Sequence, residues 1–274
     1  MLSPAQFSPH LALAKSASLL QELFEGSIAD AHERQLSVSI ADLEFQVSSQ
    51  ASALDATAIL TPRDSIHVLA EIKRASPSKG DLAKIENPAD LALEYMNAGA
   101  SAISVLTESR RFKGSLLDFE QVRSSVSIPL LRKDFIANEY QVLEARAFGA
   151  DIVLLIVAGL EMKRLAQLKN LIEELGMTAF VETHNADEVL KAVDLGAKMV
   201  GINARDLSTF ETDRDLYATL ASKLPANVIK VAESAVRKVE DVRDYRSAGA
   251  DVVLVGEALV TGNPTELIES FLKV

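Results

Sequence analysis

The 274-residue chain contains no cysteine and no tryptophan, and aromatic residues make up only 5% of it. The absence of cysteine excludes disulfide bonds, thiolate nucleophiles and cysteine-ligated zinc or iron–sulfur centres. It is compatible with a reducing compartment, and we expect the protein to be cytoplasmic. The four histidines lack paired metal-ligand spacing, and the common nucleotide-binding and serine-nucleophile motifs are missing. We therefore expect no metal and no cofactor.

Positive charge is also scarce, because 28 Lys and Arg face 39 Asp and Glu, which gives a net charge of −11. This balance argues against general binding to nucleic acid or to anionic membranes. No window reaches the roughly 18 uncharged apolar residues of a membrane helix. The N-terminal segment also lacks the basic start and long apolar run of a signal peptide. The sequence therefore predicts a soluble protein with no nucleic-acid or membrane partner.

Short apolar runs rich in β-branched residues recur along the chain, with helical patterns between most of them. Continuous apolar character is typical of parallel strands that are covered on both faces. Asn87 is a predicted helix N-cap, and a glycine, then alanine, then a strand recur at Gly99, Gly149, Gly196 and Gly249. This regularity indicates repeated βα units. The eight runs are 67–72, 101–106, 129–132, 151–157, 178–181, 198–202, 228–231 and 251–255.

Eight such units without a linker favour a closed (βα)8 TIM barrel over the alternative, an open doubly wound sheet. We predict a helical extension over residues 1–60, packed on a catalytic barrel over 61–274. The extension carries helical apolar spacing, for example at Leu19, Leu20 and Leu23. It either closes the bottom of the barrel or shields apolar surface, or else it covers the mouth and contacts ligand, and the sequence leaves both alternatives open.

Polar residues follow the predicted strands at their C-terminal ends, where barrels of this kind hold their active sites. Charges directly after buried strands are costly to bury unless they share a polar cavity. Each has a structural alternative, such as a rim ion pair for Glu71 and Lys73, a solvated turn at Lys133 and Asp134, or a helix cap at Ser234. A whole ring of them points instead to an acid–base site. Its members are Glu71, Lys73, Glu108, Lys133, Asp134, Glu182, Asn203, Arg205, Glu233 and Ser234.

Two features predict an anionic ligand. Ser234, expected at a helix N-terminus, and the turn at Gly256 follow the seventh and eighth strands, where barrels most often bind phosphate. The loop 73–80 concentrates three cations within an acidic chain, which predicts a positive mouth. We therefore expect a phosphorylated small molecule as substrate.

Six strings in this order, AEIKRASPSKGDL, LLRKDFI, AFVETHNADE, VGINARDLSTFETD, VAESAV and VLVGEALV, resemble the indole-3-glycerol phosphate synthase family. The resemblance extends from about residue 19 to the C-terminus. It implies a (βα)8 barrel with an N-terminal helical extension that acts in tryptophan biosynthesis without metal or cofactor. The implied reaction converts 1-(2-carboxyphenylamino)-1-deoxyribulose 5-phosphate into indole-3-glycerol phosphate, carbon dioxide and water. We expect a monofunctional enzyme that is a monomer, with a weak homodimer as the alternative.

The resemblance also implies roles for individual residues. Lys133 would protonate the substrate carbonyl, Lys73 would hold the substrate carboxylate, and Glu182 would stabilise the cationic intermediate and accept a proton. Which lysine acts in which step stays open. The implied catalytic residues are Glu71, Lys73, Lys133, Glu182, Asn203 and Ser234. The implied substrate-binding residues are Ser76, Pro77, Phe112, Phe135, Leu154, Arg205, Leu207, Ala235, Gly256 and Glu257.

The chain departs from the family pattern at two positions. Ala235 stands where a glycine is usual, and its Cβ would narrow the approach of the backbone to phosphate. Ala258 replaces a serine seen in many members, which removes one hydroxyl donor. The competing functions are a phosphosugar isomerase, a Schiff-base aldolase and a barrel that binds a phosphorylated ligand only to regulate a partner. The isomerase families carry a Cys/Asp or Asp/Asp pair instead of two lysines and glutamates.

Overall fold

The computed structural model describes residues 9–205 and 214–274. Eight parallel strands form one closed barrel, in which each strand pairs with its neighbours in the chain and the first pairs with the last. Leu69, for example, lies opposite Ala102 on one side and Leu254 on the other. The predicted barrel is confirmed, and the open-sheet alternative is wrong. The strands are β1 His67–Ile72, β2 Ala102–Leu106, β3 Leu130–Lys133, β4 Ile152–Ile156, β5 Thr178–Thr183, β6 Met199–Asn203, β7 Ile229–Glu233 and β8 Val252–Val255.

Helices surround the barrel and precede it. A two-stranded ribbon, Ala75–Ser76 with Gly80–Asp81, lies in the loop after β1, and a 3-10 helix at Val157–Gly159 follows β4. The α-helices before β1 are α1 Pro9–Gln35, α2 Ile40–Ser49 and α3 Ala56–Ile59. Those after it are α4 Pro88–Asn97, α5 Leu116–Ser125, α6 Glu139–Ala147, α7 Met162–Glu174, α8 Ala186–Asp194, α9 Arg214–Ala221, α10 Val239–Ser247, α11 Glu257–Thr261 and α12 Pro264–Phe271.

The predicted helix ends have clear local causes. The side chain of Asn87 accepts a hydrogen bond from the backbone N–H of Ala89 and so caps α4. Gly99 and Gly149 follow their helices with φ of 99° and 86°, in the left-handed region that glycine adopts without steric cost. After each of these helices the chain reverses, so the next strand begins at the same end of the barrel and runs parallel to the one before it.

Side chains along each strand alternate between two cores. On β1, Val68 and Ala70 belong to the layer between strands and helices, whereas Leu69 belongs to the cluster inside the barrel. The interior cluster also contains Leu131, Phe180, Met199 and Val231. Because successive side chains point to opposite faces of a strand, the residue two positions after each interior residue also points inward, at the mouth of the barrel.

Helix α1 lies against the barrel and is fixed there by polar contacts. The hydroxyl of Ser27 donates to Asp134 at 2.8 Å, and the guanidinium of Arg34 pairs with Glu144 of α6 at 2.6 Å. The division of the chain near residue 60 stays a prediction. Among the described residues, no helix combines the length and the apolar character needed to span a membrane.

Candidate active site

The strand register brings the predicted acid–base residues to one place. Lys133 lies two residues after the interior residue Leu131, and Glu182 lies two residues after Phe180. The same spacing of two residues separates Glu71 from Leu69, Asn203 from Gly201 and Glu233 from Val231. A spacing of two keeps all five on the interior face, at the top layer of the barrel. Four strands end later than predicted, because β3 continues to Lys133, β5 to Thr183, β6 to Asn203 and β7 to Glu233.

These residues meet in a cavity of about 270 Å³ at the C-terminal ends of the strands. Leu207 lies outside the described residues, so its place in the site stays a prediction. Every other site residue implied by the family resemblance lines this cavity, whereas Glu108 of the predicted acid–base ring does not: Glu71, Lys73, Ser76, Pro77, Phe112, Lys133, Phe135, Leu154, Glu182, Asn203, Arg205, Ser234, Ala235, Gly256 and Glu257 line it.

Lys133 is the central cation of the site. Its Nζ lies 3.3 Å from Oε2 of Glu182 and 3.4 Å from Oε2 of Glu233. Burial alone would lower the pKa of Lys133, but nearby carboxylates, Glu182 above all, outweigh it and hold the pKa well above the ordinary value. Lys133 is therefore an ammonium group with a proton to donate.

The two carboxylates beside Lys133 differ in charge. Burial would raise the pKa of Glu182, but Lys133 and His184 hold it well below its usual range. Burial and repulsion from Glu182 raise the pKa of Glu233 to about 8. Oε1 of Glu233 has no hydrogen-bond partner within residues 9–205 and 214–274. Near neutral pH one carboxylate is thus ionised while the other holds a proton, a separation typical of acid–base sites.

A second ion pair and a chain of hydrogen bonds complete the polar wall. Nζ of Lys73 lies 2.6 Å from Oε1 of Glu71, which is only 2% exposed. The hydroxyl of Ser234 donates to Oδ1 of Asn203 at 2.8 Å, and Nδ2 of Asn203 donates to Oε1 of Glu182 at 3.2 Å. The turn after β7 is therefore connected through Asn203 to the carboxylate that faces Lys133.

The turn after β7 has an unusual backbone. Ser234 and Ala235 have φ of 71° and 59°, and successive residues in such conformations can form a concavity of N–H groups that holds an anion. The expected helix N-terminus at Ser234 is wrong, because α10 begins only at Val239. The reason is this left-handed turn, because the φ values of Ser234 and Ala235 are incompatible with a right-handed α-helix at these positions. Gly256 does occupy a helix start, as the N-cap of α11.

The opposite wall is apolar and partly belongs to α1. The rings of Phe112 and Phe135 lie 6.2 Å apart, and Phe24 meets Phe135 edge to face at 5.5 Å. Leu19, Leu20 and Leu23 of α1 also line the cavity. Helix α1 therefore lines the mouth of the cavity, as in the second of the two alternatives left open by the sequence, and its contact with ligand stays a prediction.

Two of the strand-end acids, Asp134 and Glu108, hold the backbone and α1 in place and do not take part in the proposed acid–base chemistry. The Asp134 carboxylate is 6% exposed and accepts hydrogen bonds from the hydroxyls of Ser27 and Thr107 at 2.8 and 2.6 Å. The solvated-turn interpretation of Asp134 is therefore wrong. The Glu108 carboxylate accepts the backbone N–H groups of residues 110–112 and so shapes the loop that carries Phe112.

Comparisons with known proteins decide the family. A family model described as indole-3-glycerol phosphate synthase matches residues 20–271. A relative of that name from Leifsonia xyli subsp. xyli is 58% identical over 92% of this chain and 97% of its own. Another from Arthrobacter sp. is 50% identical over 93% of this chain and 95% of its own. The chain belongs to the indole-3-glycerol phosphate synthase family. It is thus a decarboxylating lyase of tryptophan biosynthesis.

Solved structures that resemble this family member support the fold alone. An N-acetylmannosamine-6-phosphate 2-epimerase from Clostridium perfringens aligns with a TM-score of 0.59 at 14% identity, over 82% of this chain and 99% of its own. A thiamine phosphate pyrophosphorylase from Pyrococcus furiosus aligns with a TM-score of 0.57 at 14% identity, over 76% of this chain and 94% of its own.

The family resemblance drawn from sequence left Glu233 out of the site. The structure places it in the cavity wall, in contact with Lys133. Its signal was present in the sequence, because Glu233 ends the apolar run of β7 just as Glu182 lies near the end of β5. The same cavity includes Ser78 and Arg237, which carry no sequence signal of their own.

Proposed function

We propose that this chain closes the indole ring in the cavity above its barrel, with Lys133 as the general acid. The substrate is 1-(2-carboxyphenylamino)-1-deoxyribulose 5-phosphate, and the products are indole-3-glycerol phosphate, carbon dioxide and water. The observation that supports this most directly is the Lys133 ammonium between the carboxylates of Glu182 and Glu233. A buried cation there supplies a proton where a ketone oxygen acquires negative charge.

In the first step, the aryl carbon that bears the carboxylate attacks the ketone carbon. The new carbon–carbon bond forms while the carbonyl π electrons move to oxygen, which takes the proton of Lys133. The aryl carbon is a weak nucleophile toward an unpolarised ketone, so this protonation is needed in the transition state. The ring system becomes cationic, and the ionised carboxylate of Glu182 stabilises it.

Two eliminations then restore aromaticity. The carboxylate leaves as carbon dioxide, and its bonding electrons return to the ring. The former ketone oxygen, now a hydroxyl, takes a second proton and leaves as water, while a base removes a proton from the adjacent methylene carbon. Lys73 is the acid for this dehydration, and the ionised carboxylate of Glu182 accepts the proton. The site regains its starting charge when the proton on Glu182 returns to Lys73 and solvent supplies one proton to Lys133, which is the one proton that the overall reaction consumes.

Other polar residues orient the substrate. Lys73, held by Glu71, is a cation that can hold the substrate carboxylate next to the reacting carbon. Asn203 holds one oxygen of Glu182 and, through Ser234, connects that oxygen to the phosphate turn. We assign Glu71, Asn203 and Ser234 to orientation and not to proton transfer.

Substrate binding divides between the two walls of the cavity. We place the phosphate at the left-handed turn of Ser234 and Ala235, with Gly256 and Ser76 across from it, because such turns present N–H groups to anions. The aryl ring fits the apolar wall opposite. Its proposed contacts are Pro77, Phe112, Phe135 and Leu154, which line the cavity, together with Leu207. Arg205 and Glu257 line the same cavity.

We infer further that the enzyme works in the cytoplasm as a monomer, without nucleic-acid or membrane partners. The complete acid–base set comes from one chain, which supports a monomeric site. The need for neither metal nor cofactor stays a prediction, and so does the boundary between an extension over 1–60 and a barrel over 61–274.

A fluorescence assay tests the proposed function. Purified protein is mixed with the carboxyphenylamino-deoxyribulose phosphate, and indole emission is followed with no tryptophan background. We expect indole fluorescence and carbon dioxide to appear in equal amounts. The phenylamino analogue that lacks the carboxylate serves as the control and should give no carbon dioxide. An isomerised product formed without carbon dioxide would contradict the proposal.

A further inference from the structure

His184 lies directly behind the proposed site, just before α8. Its Nε2 lies 3.1 Å from Oε1 of Glu182, and its Nδ1 lies 3.2 Å from Oε2 of Glu188 on α8. The side chain is only 9% exposed. His184 is a helix-start residue, because Asn185 is the N-cap of α8. The ring nevertheless bridges two carboxylates, one of which faces Lys133.

The carboxylate of Glu188 is itself held in place by hydrogen bonds from the start of α8. One of its oxygens accepts the backbone N–H of His184 at 2.8 Å, and the other accepts Nδ2 of Asn185 at 2.6 Å. The helix start therefore holds Glu188, Glu188 faces His184, and His184 faces Glu182. A residue needed only to begin α8 would not require its ring to reach into the strand-end carboxylates.

The two oxygens of Glu182 have separate partners. Oε1 faces His184 and accepts from Asn203, whereas Oε2 faces Lys133. A carboxylate anchored at one oxygen keeps the other in a defined direction. Without the anchor at Oε1, rotation of the carboxylate would exchange the oxygens and loosen the geometry around the Lys133 proton.

We propose that His184 is a positioning residue for the ring closure, which holds Oε1 of Glu182 in an ion pair so that Oε2 stays directed at Lys133. Glu188 is the outer anchor of this arrangement. The inference rests on the proposed role of Glu182 in the reaction. It assigns His184 no contact with substrate.

The surrounding charges favour the protonated imidazole. Glu182 and Glu188 face the ring. Lys133 contacts Glu233 and also pairs with the other oxygen of Glu182. The 3-10 helix Val157–Gly159, which packs on α8, has no titratable side chain. Burial would lower the pKa of His184, but the two adjacent carboxylates raise it to about 10.

Kinetics over a pH range test this role. His184→Gln removes the charge, and we expect kcat to fall on the order of 10-fold while KM changes little, as is typical when the partner of a catalytic group is lost. The pKa of Glu182 rises without its cation, so the acid limb of the kcat profile should move to higher pH. Glu188→Gln should shift the limb less. His32→Gln, on the exposed side of α1, is the matched control and should leave the profile unchanged.

A double-mutant comparison separates this inference from the proposed function. If His184 acts through Glu182, adding His184→Gln to Glu182→Gln should cause no further loss of kcat. If Glu182→Gln abolishes turnover but His184→Gln keeps the wild-type kcat and pH profile, this inference is wrong and the proposed function stands. If Glu182→Gln is fully active, the proposed function itself is contradicted.

A measurement on the wild-type protein covers the case in which His184→Gln does not fold. Nitrogen-15 histidine spectra should show His184 as an imidazolium at pH 8, and Glu182→Gln should shift its titration to lower pH. A neutral His184 at pH 7 in the wild-type protein would overturn the inference.

Discussion

Gly256 faces the carboxylate of Glu71 so closely that a Cβ at Gly256 would overlap Oε1 of Glu71 and would lie 3.1 Å from Nζ of Lys73. The turn after the last strand and the ion pair after the first therefore occupy adjoining space. Because the barrel closes between β8 and β1, this contact depends on the closure itself.

We expect Gly256→Ala to displace the Glu71–Lys73 pair and to lower kcat/KM by about 10²-fold, the loss that a shift of about 1 Å produces in a catalytic group. Steady-state kinetics measure the change. Gly176→Ala is the control, because Gly176 has φ of 79° and no neighbouring atom lies within 4 Å of the place that a Cβ would occupy. That variant should lose about 1 kcal/mol of unfolding free energy without losing turnover. Full activity of Gly256→Ala would contradict the assigned role of the pair.

Removal of the Lys133 amine should abolish most turnover. We expect Lys133→Ala to reduce kcat on the order of 10²- to 10⁴-fold with little change in KM, because the proton is needed chiefly in the ring-closing transition state. Lys163→Ala, at an exposed position on α7, should behave like the wild type. If kcat of Lys133→Ala were unchanged and only KM rose, Lys133 would be a binding residue.

The Schiff-base alternative makes a different chemical prediction. An imine-forming lysine must spend time as the free amine, whereas the charge of Glu182 outweighs burial and raises the pKa of Lys133. Borohydride added during turnover should therefore leave both the mass and the activity of the protein unchanged. Mass spectrometry checks this. A substrate-sized adduct on Lys73 or Lys133, formed only with both reagents present, would support the aldolase mechanism.

Ala235 has φ of 59°, a conformation in which its Cβ is unfavourable and glycine is not. We expect Ala235→Gly to raise the unfolding free energy by about 0.5–1 kcal/mol and to tighten competitive inhibition by inorganic phosphate. Urea unfolding and inhibition kinetics measure the two effects. Ala41→Gly, on the exposed face of α2, should instead lower stability by about 1 kcal/mol. Weaker inhibition by phosphate would place the anion site elsewhere.

Glu233 should make stability depend on pH. Its pKa rises on folding from 4.5 to about 8, so the folded protein keeps a proton that the unfolded chain has released between these values. Its contribution to stability is fully present below about pH 4.5 and is lost as the pH rises through about 8. Glu233→Gln, which resembles the protonated form, should flatten the decline in this window, and Glu44→Gln on α2 should not. Unfolding free energies at pH 5 and 8.5 compare them. An identical decline in Glu233→Gln and the wild type would show that Glu233 is ionised.

The strand pattern and the family could both be predicted from sequence, because they depend on short-range order along the chain. Continuous apolar runs identified the eight strands, and glycines such as Gly99 identified the helix ends. The period of two along a strand then makes it possible to assign Lys133 and Glu182 to the interior face. These features need no knowledge of which residues approach each other through space.

The chemistry of individual acids required the tertiary structure. Glu108, Asp134, Glu182 and Glu233 all stand at or near the ends of apolar strands, yet Glu108 accepts backbone N–H groups and Asp134 holds α1. Glu182 and Glu233 face the same ammonium, but only Glu182 has a histidine and an amide at its other oxygen. Desolvation and Coulomb interactions depend on distances between residues far apart in sequence, and the closed barrel alone determines those distances.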